Sequence, residues 1–171
     1  MQWLDDVMSE EYQFVKTLKD NDKTSIIHYR HKKLGQDIVK ITYRGDVTVY
    51  KILQGITHRN LPRIYDVLDE QGTCTVLEEF IDGMTVGELL KSGLYEESGV
   101  RHICSDICDA LWVLHSYDII HRDIKPENIM ISNDGRAVLI DFDAARIYKP
   151  YKSADTFFTG TAGYAAPDDY N

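Results

Sequence analysis

The stretch HRDIKPENIMI, residues 121–131, constrains this chain more than any other. Apolar runs enclose it, DALWVLHSYDII before and NIMI after. His121, Arg122, Asp123, Lys125, Glu127 and Asn128 therefore crowd into a short segment beside a core. Backbone that runs along a core must pair its own N–H and C=O groups, so such a segment is held rather than solvated. A fixed carboxylate at Asp123 can accept a proton or hydrogen bond from a substrate hydroxyl. Lys125 can neutralise an anionic group in transfer, and the amide carbonyl of Asn128 is a hard oxygen ligand suited to Mg²⁺. Thirteen positions later, Asp141 closes the apolar run AVLID and can share that metal. Base, cation and two oxygen ligands are what phosphoryl transfer asks of a protein, because positioning and charge stabilisation carry most of its catalysis.

The rest of the chain alternates between two characters. Residues 1–20 read as an acidic amphipathic helix leading into a strand, YQFVKTL. A polar turn, KDNDKTS, separates it from two β-branched runs, IIHYRH and QDIVKITY. In DVTVYKILQGI, Val49, Ile52, Leu53 and Ile56 recur at helical spacing. Two further apolar runs flank DEQG as a hairpin. Past IDG the pattern turns helical, in MTVGELLKSG and in EESGVRHICSDICDALWVLHSYD, whose Val100, Ile103, Ile107, Leu111 and Leu114 form one stripe. NIMI and AVLIDF then read as strands about the turn SNDGR, and residues 143–171 as loop. The expectation is an α+β chain, strand-rich with one helix in its first part and mainly helical in its second.

With 171 residues and 43% hydrophobic composition, the chain can bury a real core. A net charge of −9 argues against general nucleic-acid binding, which calls for a basic footprint. Cys74, Cys104 and Cys108 lack a disulfide framework and read as reduced thiols in a cytoplasmic protein. Cys104 and Cys108, four apart, read as small buried hydrophobes rather than metal ligands. No signal peptide opens the chain, and no apolar run reaches a membrane span.

HRDIKPEN, then DFD, then GTAGYAAPD resemble, in order and spacing, the eukaryotic-type (Hanks-type) Ser/Thr protein kinases, and the chain looks like a bacterial member cut short after its APE-like motif. The resemblance implies a two-lobed α+β fold, with residues 1–80 as N-lobe, 81–87 as hinge and 88–171 as a partial C-lobe. It implies ATP and Mg²⁺ as cofactors, with Asp123 as catalytic base, Lys125 on the transferring phosphate, and Asn128 and Asp141 on the metal. Lys125 also points to Ser/Thr substrates, and Thr161 resembles the threonine set beside the catalytic aspartate. DIVKI resembles the VAIK strand, so Lys40 would hold the α- and β-phosphates. LEEFIDG resembles the hinge, where Glu79 and Ile81 would meet the adenine edge. Ile26, Ile38 and Met130 would complete the ATP site, and Ser153, Thr156 and Thr159 are candidate phosphosites in the activation segment. Leu53, Ile64, His121 and Phe142 fall where the family stacks its regulatory spine, and an ordinary core would bury them equally.

Four departures accompany the resemblance. KDNDKT stands where the glycine-rich phosphate loop belongs and holds no glycine. Val49 and Thr48 stand where a helical glutamate should pair with Lys40, and Asp46 is the nearest acid. Asp143 replaces the glycine of DFG. Asp168 takes the APE glutamate's place, and the apolar face of ICDALWVLHS is left to a partner or a second copy. A non-catalytic pseudokinase is therefore the alternative to a Ser/Thr kinase, with a small-molecule phosphotransferase of kinase-like fold behind both.

Overall fold

A computed structural model describes residues 2–70, 72–93 and 96–148, together with Thr161, Gly163 and Tyr164. It divides into two compact units, Met1–Thr57 with Arg63–Phe80, and His58–Pro62 with Ile81–Asn171.

The first unit is a five-stranded antiparallel sheet in the order β1-β2-β3-β5-β4. Its strands are β1 (Tyr12–Asp20), β2 (Thr24–His31), β3 (Asp37–Arg44), β4 (Ile64–Glu70) and β5 (Thr73–Glu79). Helix α1 (Gln2–Glu11) precedes the sheet, and helix α2 (Thr48–Leu53) follows β3. Leu4 and Met8 stand one turn apart on α1 and bury against Ile38, with Tyr29 and Leu77 beside them. On the opposite face Val39, Ile41 and Tyr43 are buried, and the Tyr43 ring meets Tyr50 of α2 at 5.9 Å. The expected helical stripe is shorter in fact. Helix α2 stops at Leu53, ahead of Gly55, and buries Val49, Tyr50 and Leu53 instead of running to Ile56.

The turn between β1 and β2 closes on its own side chain. Asn21 Oδ1 accepts from the N–H groups of Lys23 and Thr24, each at 2.9 Å, while Asn21 N–H donates to Thr24 O at 3.1 Å. This Asx geometry forms the turn without glycine.

The second unit holds β6 (Gly83–Thr85), α3 (Val86–Ser92), α4 (Glu97–Ser116), β7 (Ile119–Ile120), β8 (Ile129–Ser132), β9 (Ala137–Leu139) and β10 (Arg146–Ile147). β6, β8 and β9 make one small sheet, and β7 pairs with β10 in another. Thr85 and Glu88 close a capping box at the start of α3, each side chain bonding the other's backbone N–H. Ile107, Ala110 and Leu114 of α4 turn inward with Asp106, whereas Val100 is 45% exposed, so the expected stripe begins one turn late. Cys104 and Cys108 are exposed, contrary to expectation, because they lie on the face of α4 that also carries Trp112, itself 79% exposed. Among the described residues, no helix is long and apolar enough to cross a membrane.

Candidate functional site

The segment His121–Asn128 lies between β7 and β8 and ends in a 3₁₀ turn, Pro126–Asn128, with proline at the position where a missing N–H costs least. β8 and β9 then pair as a hairpin, Ile129 opposite Leu139, which brings the end of β9 back alongside the segment. One step beyond, Ile140 N–H donates to Asn128 O at 2.9 Å. The main chain next to Asp141 is thereby tied to Asn128.

His121 is the organiser. It is buried, and its Nδ1 accepts from Asp123 N–H at 3.3 Å, which leaves Nε2–H to donate to Ile140 O at 3.2 Å. Burial, which disfavours the imidazolium, holds its pKa below the ordinary histidine value and so favours this neutral tautomer. Its ring meets Phe142 edge to face at 5.1 Å. Arg122 and Asp141 both sit at φ 66°, a left-handed conformation costing a non-glycine residue on the order of 1–2 kcal/mol. Arg122 Nε donates to Ala144 O at 2.9 Å, a further tie between the segment and the chain after Asp141. Strained backbone persists where the surroundings over-determine it, and here both strained residues flank the charged cluster.

Around Asp123 the polar groups converge. Lys125 Nζ donates to its Oδ2 at 2.7 Å and Asn128 Nδ2 to the same oxygen at 2.9 Å. Thr161 Oγ1 donates to Oδ1 at 2.6 Å, and Lys125 Nζ also donates to Thr161 Oγ1 at 2.9 Å. Burial pushes the Asp123 carboxyl upward, but the bonds from Lys125, Thr161 and Asn128 with the Lys125 charge outweigh it, and the carboxyl stays below its usual range. Asn128 Nδ2 also donates to Asp123 O at 2.9 Å. With that amide nitrogen committed twice, Asn128 presents Oδ1 as its remaining donor toward a cation. A neutral amide oxygen with the Asp141 carboxylate is a hard-oxygen pair that suits Mg²⁺ when phosphate and water supply the other ligands. Among the described residues, no group of three or more His, Cys, Asp or Glu could hold a metal by itself.

So the second unit brings together Asp123, Lys125, Asn128 and Thr161, with Asp141 anchored next to them. The first unit does not gather its expected residues in the same way. The β2–β3 and β3–β5 registers run without a shift, pairing Ile26 with Ile41, Ile27 with Lys40, Ile38 with Glu79, and Lys40 with Leu77. Directly paired residues share a face. Lys40, Ile38 and Glu79 therefore point to the side that α1 covers, and Ile26 to the side that carries α2. Of the residues expected to serve ATP, the alternation thus sets Ile38 and Lys40 on one face of the sheet and Ile26 on the other. Glu79 also bonds Arg63, its N–H donating to Arg63 O at 2.8 Å and its Oε2 accepting from Arg63 N–H at 3.1 Å. Ile81 is buried in the second unit, where Met130, half-buried on β8, pairs with Thr85 and Val138. Val49 is buried, Thr48 is exposed, and Asp46 Oδ1 accepts from Thr48 N–H at 2.8 Å at the mouth of α2. Ser153, Thr156, Thr159 and Asp168 lie outside the described residues.

Two polar residues that the sequence did not single out hold the second unit together. Asn60 Nδ2 donates to Ala137 O at 2.8 Å and Leu139 N–H to Asn60 O at 3.0 Å, while Asp106 Oδ2 accepts from Ala137 N–H at 2.9 Å. Both side chains are buried, so each replaces water for a strand that would otherwise carry unpaired groups. Buried Glu78, adjacent to Glu79, also escaped notice. The available signal for Asp106 was an acid at helical spacing from Ile103 and Ala110.

Residues 13–169 match the protein kinase domain. The chain belongs to the protein kinase family. It is 36% identical over 106 residues to the CTD kinase subunit alpha of fission yeast, covering 61% of this chain and 18% of that protein. It is 34% identical over 124 residues to human myosin light chain kinase 3, covering 70% and 15%. With rabbit cyclin-dependent kinase-like 2 the identity is 30% over 159 residues, covering 92% and 28%. The chain thus spans less than a third of the length of each of these relatives. They are eukaryotic, and a bacterial origin is not borne out. Its kinase-like α+β fold carries the antiparallel N-terminal sheet that the sequence implied, and membership implies ATP, a divalent metal and protein substrates in general terms.

Proposed function

We propose that this chain derives from, and retains the transfer centre of, a Ser/Thr protein kinase that moves the γ-phosphoryl group of ATP to a protein hydroxyl. The observation that carries this reading is the Asp123 carboxylate held at once by Lys125, Asn128 and Thr161. Asp123 is ionised at neutral pH, so it orients a substrate Ser or Thr hydroxyl and takes its proton as the oxygen attacks phosphorus. Lys125 sits where it can balance charge on the moving phosphoryl group, and Thr161 fixes both side chains. Asn128 Oδ1 and the Asp141 carboxylate would hold Mg²⁺, which would neutralise the phosphates. Glu79 and Ile81 would serve the adenine through backbone groups, with Met130, Ile26 and Ile38 as apolar neighbours; the assignment of the phosphates to Lys40 rests on the family resemblance alone.

On this reading residues 1–80, 81–87 and 88–171 are lobe, hinge and partial lobe, working in the cytoplasm on protein substrates. Purified chain incubated with labelled ATP, Mg²⁺ and a basic protein should transfer phosphate, and Asp123→Asn should abolish transfer. Equal labelling by both proteins would remove the proposal.

A pseudokinase reading has its own support. The N–H groups of Asn21, Lys23 and Thr24 all bond within their turn, where a phosphate-binding loop would offer such groups outward. Nucleotide binding without transfer in both proteins would favour it.

A further inference from the structure

A β3 lysine that holds nucleotide phosphates and pairs with the following helix has to project from the face on which that helix packs. In the first unit that face is fixed by Tyr43 against Tyr50, and Val39 and Ile41 share it by strict alternation along β3. Lys40 takes the other face. Its cross-strand neighbours are Ile27 and Leu77, and two residues before it Ile38 packs under Leu4 and Met8 of α1. Burial agrees, since Val39, Ile41 and Tyr43 are 8% exposed or less while Lys40 and Thr42 are half-exposed. A sheet turns a residue to its other face only when its register slips by one, and neither β2–β3 nor β3–β5 contains a slip.

We infer that Lys40 is not the phosphate-holding lysine, and that Ile41 occupies that lysine's place on the α2 face. The inference deepens the protein kinase reading and rests on it. On β2 and β5, the strands that flank β3, the basic side chains of that face are His28 and Arg30, and both engage Asp37. Glu78 is acidic, and His28 has Nε2 at 2.7 Å from Asp37 Oδ1 with its ring stacked on Phe80 at 3.8 Å, while Lys16 and Lys19 share the face only from edge strand β1, two strands away from β3. Any positive charge on His28 is matched by that carboxylate, which Arg30 also engages at 2.9 and 3.0 Å. The absence of a helical glutamate on α2 fits the same picture, because an inward lysine is what such a glutamate would serve. Val49, Tyr50 and Leu53 present an apolar surface that matches Ile41 instead.

The full chain, with Lys40→Met, Ile41→Lys and Ile41→Met variants, is titrated with Mg²⁺-ATP by calorimetry, and circular dichroism and thermal melting check folding. Lys40→Met should leave nucleotide affinity within about twofold of the parent, or leave an undetectable affinity undetectable. Ile41→Lys should tighten binding about tenfold or more, and Ile41→Met should change nothing. A tenfold loss in Lys40→Met overturns the inference, as does a folded Ile41→Lys protein without any gain. If Ile41→Lys does not fold, acylation decides. Removing the α1 contacts with Leu4→Ala and Met8→Ala should speed modification of Lys40 by an amine-acylating reagent, read by peptide mass spectrometry, and an unchanged rate overturns the inference. Failure of the kinase reading is separately visible as phosphate transfer indifferent to Asp123→Asn.

Discussion

At the scale of single residues, the central balance is at Asp123. Its carboxyl is held below the ordinary range by donors from three residues against the pull of burial. The unfolded chain therefore takes up a proton at a pH where the native chain does not. The resulting stability is fully present above the ordinary carboxylate range and is lost as pH falls through the lowered value. Thr161→Val removes one donor while keeping the side chain's shape. The Asp123 carboxyl should then titrate at higher pH in a carbon-detected NMR titration, and an unmoved midpoint would show that the hydroxyl contributes nothing. Of this site, the spacing of Asp123, Lys125, Asn128 and Asp141 was legible, because chemistry dictated residue types within a short span. The His121 tautomer and the left-handed Arg122 were not, since both are set by hydrogen bonds to Ile140 and Ala144 from far along the chain. The face that Lys40 takes was not legible for a different reason. In DIVKITY both faces carry apolar residues, Ile38 on one and Val39 and Ile41 on the other, so the pattern does not say which way a strand faces.

At the scale of elements, close backbone approach decides which glycines matter. A Cβ at Gly83 would lie 2.0 Å from Ile131 O, inside the β6–β8 pairing. Gly83→Ala has to push the two strands apart, and overpacking of this kind costs about 1–3 kcal/mol. A Cβ at Gly87, in α3, would meet chiefly the Glu127 side chain at 3.0 Å, which can swing away. There the cost is offset by the roughly 1 kcal/mol that alanine gains over glycine inside a helix. Urea unfolding should thus find Gly83→Ala clearly destabilised and Gly87→Ala near the parent; equal losses would refute the contrast. Elements with strong periodicity were legible in the sequence, as with β2, β3, β5 and α4. The length of α2 was not, because the stop near Gly55 outweighed the apolar spacing that reaches Ile56. The sequence pattern puts Thr85 in a helix, and it does belong to one as its cap, although its backbone pairs with Met130 as strand.

At the scale of the whole molecule, the outward surface of α4 is what the two units leave unexplained. Val100, Cys104, Cys108 and Trp112 recur every fourth residue and are all exposed, Trp112 most of all. Spacing of four keeps side chains along one side of a helix, so they form a continuous apolar strip. The sequence placed apolar residues on α4 correctly but could not say which side the core would take, because both sides carry them. Ala110 and Leu114, fully buried, mark the inner side, and Asp106 joins them by bonding Ala137. An exposed apolar strip of this kind favours association, and the net charge of −9 opposes it most at low salt, where like charges are least screened. Light scattering should therefore give a mass above that of one chain that rises with protein and salt concentration. Val100→Glu with Trp112→Glu should return it to a single chain at every salt concentration, without altering the melting temperature by more than about 2 °C, as expected of substitutions on a solvated face. Association that persists unchanged in the double variant would assign it elsewhere, with edge strand β1, where Phe14 and Leu18 are exposed, as the next surface to substitute.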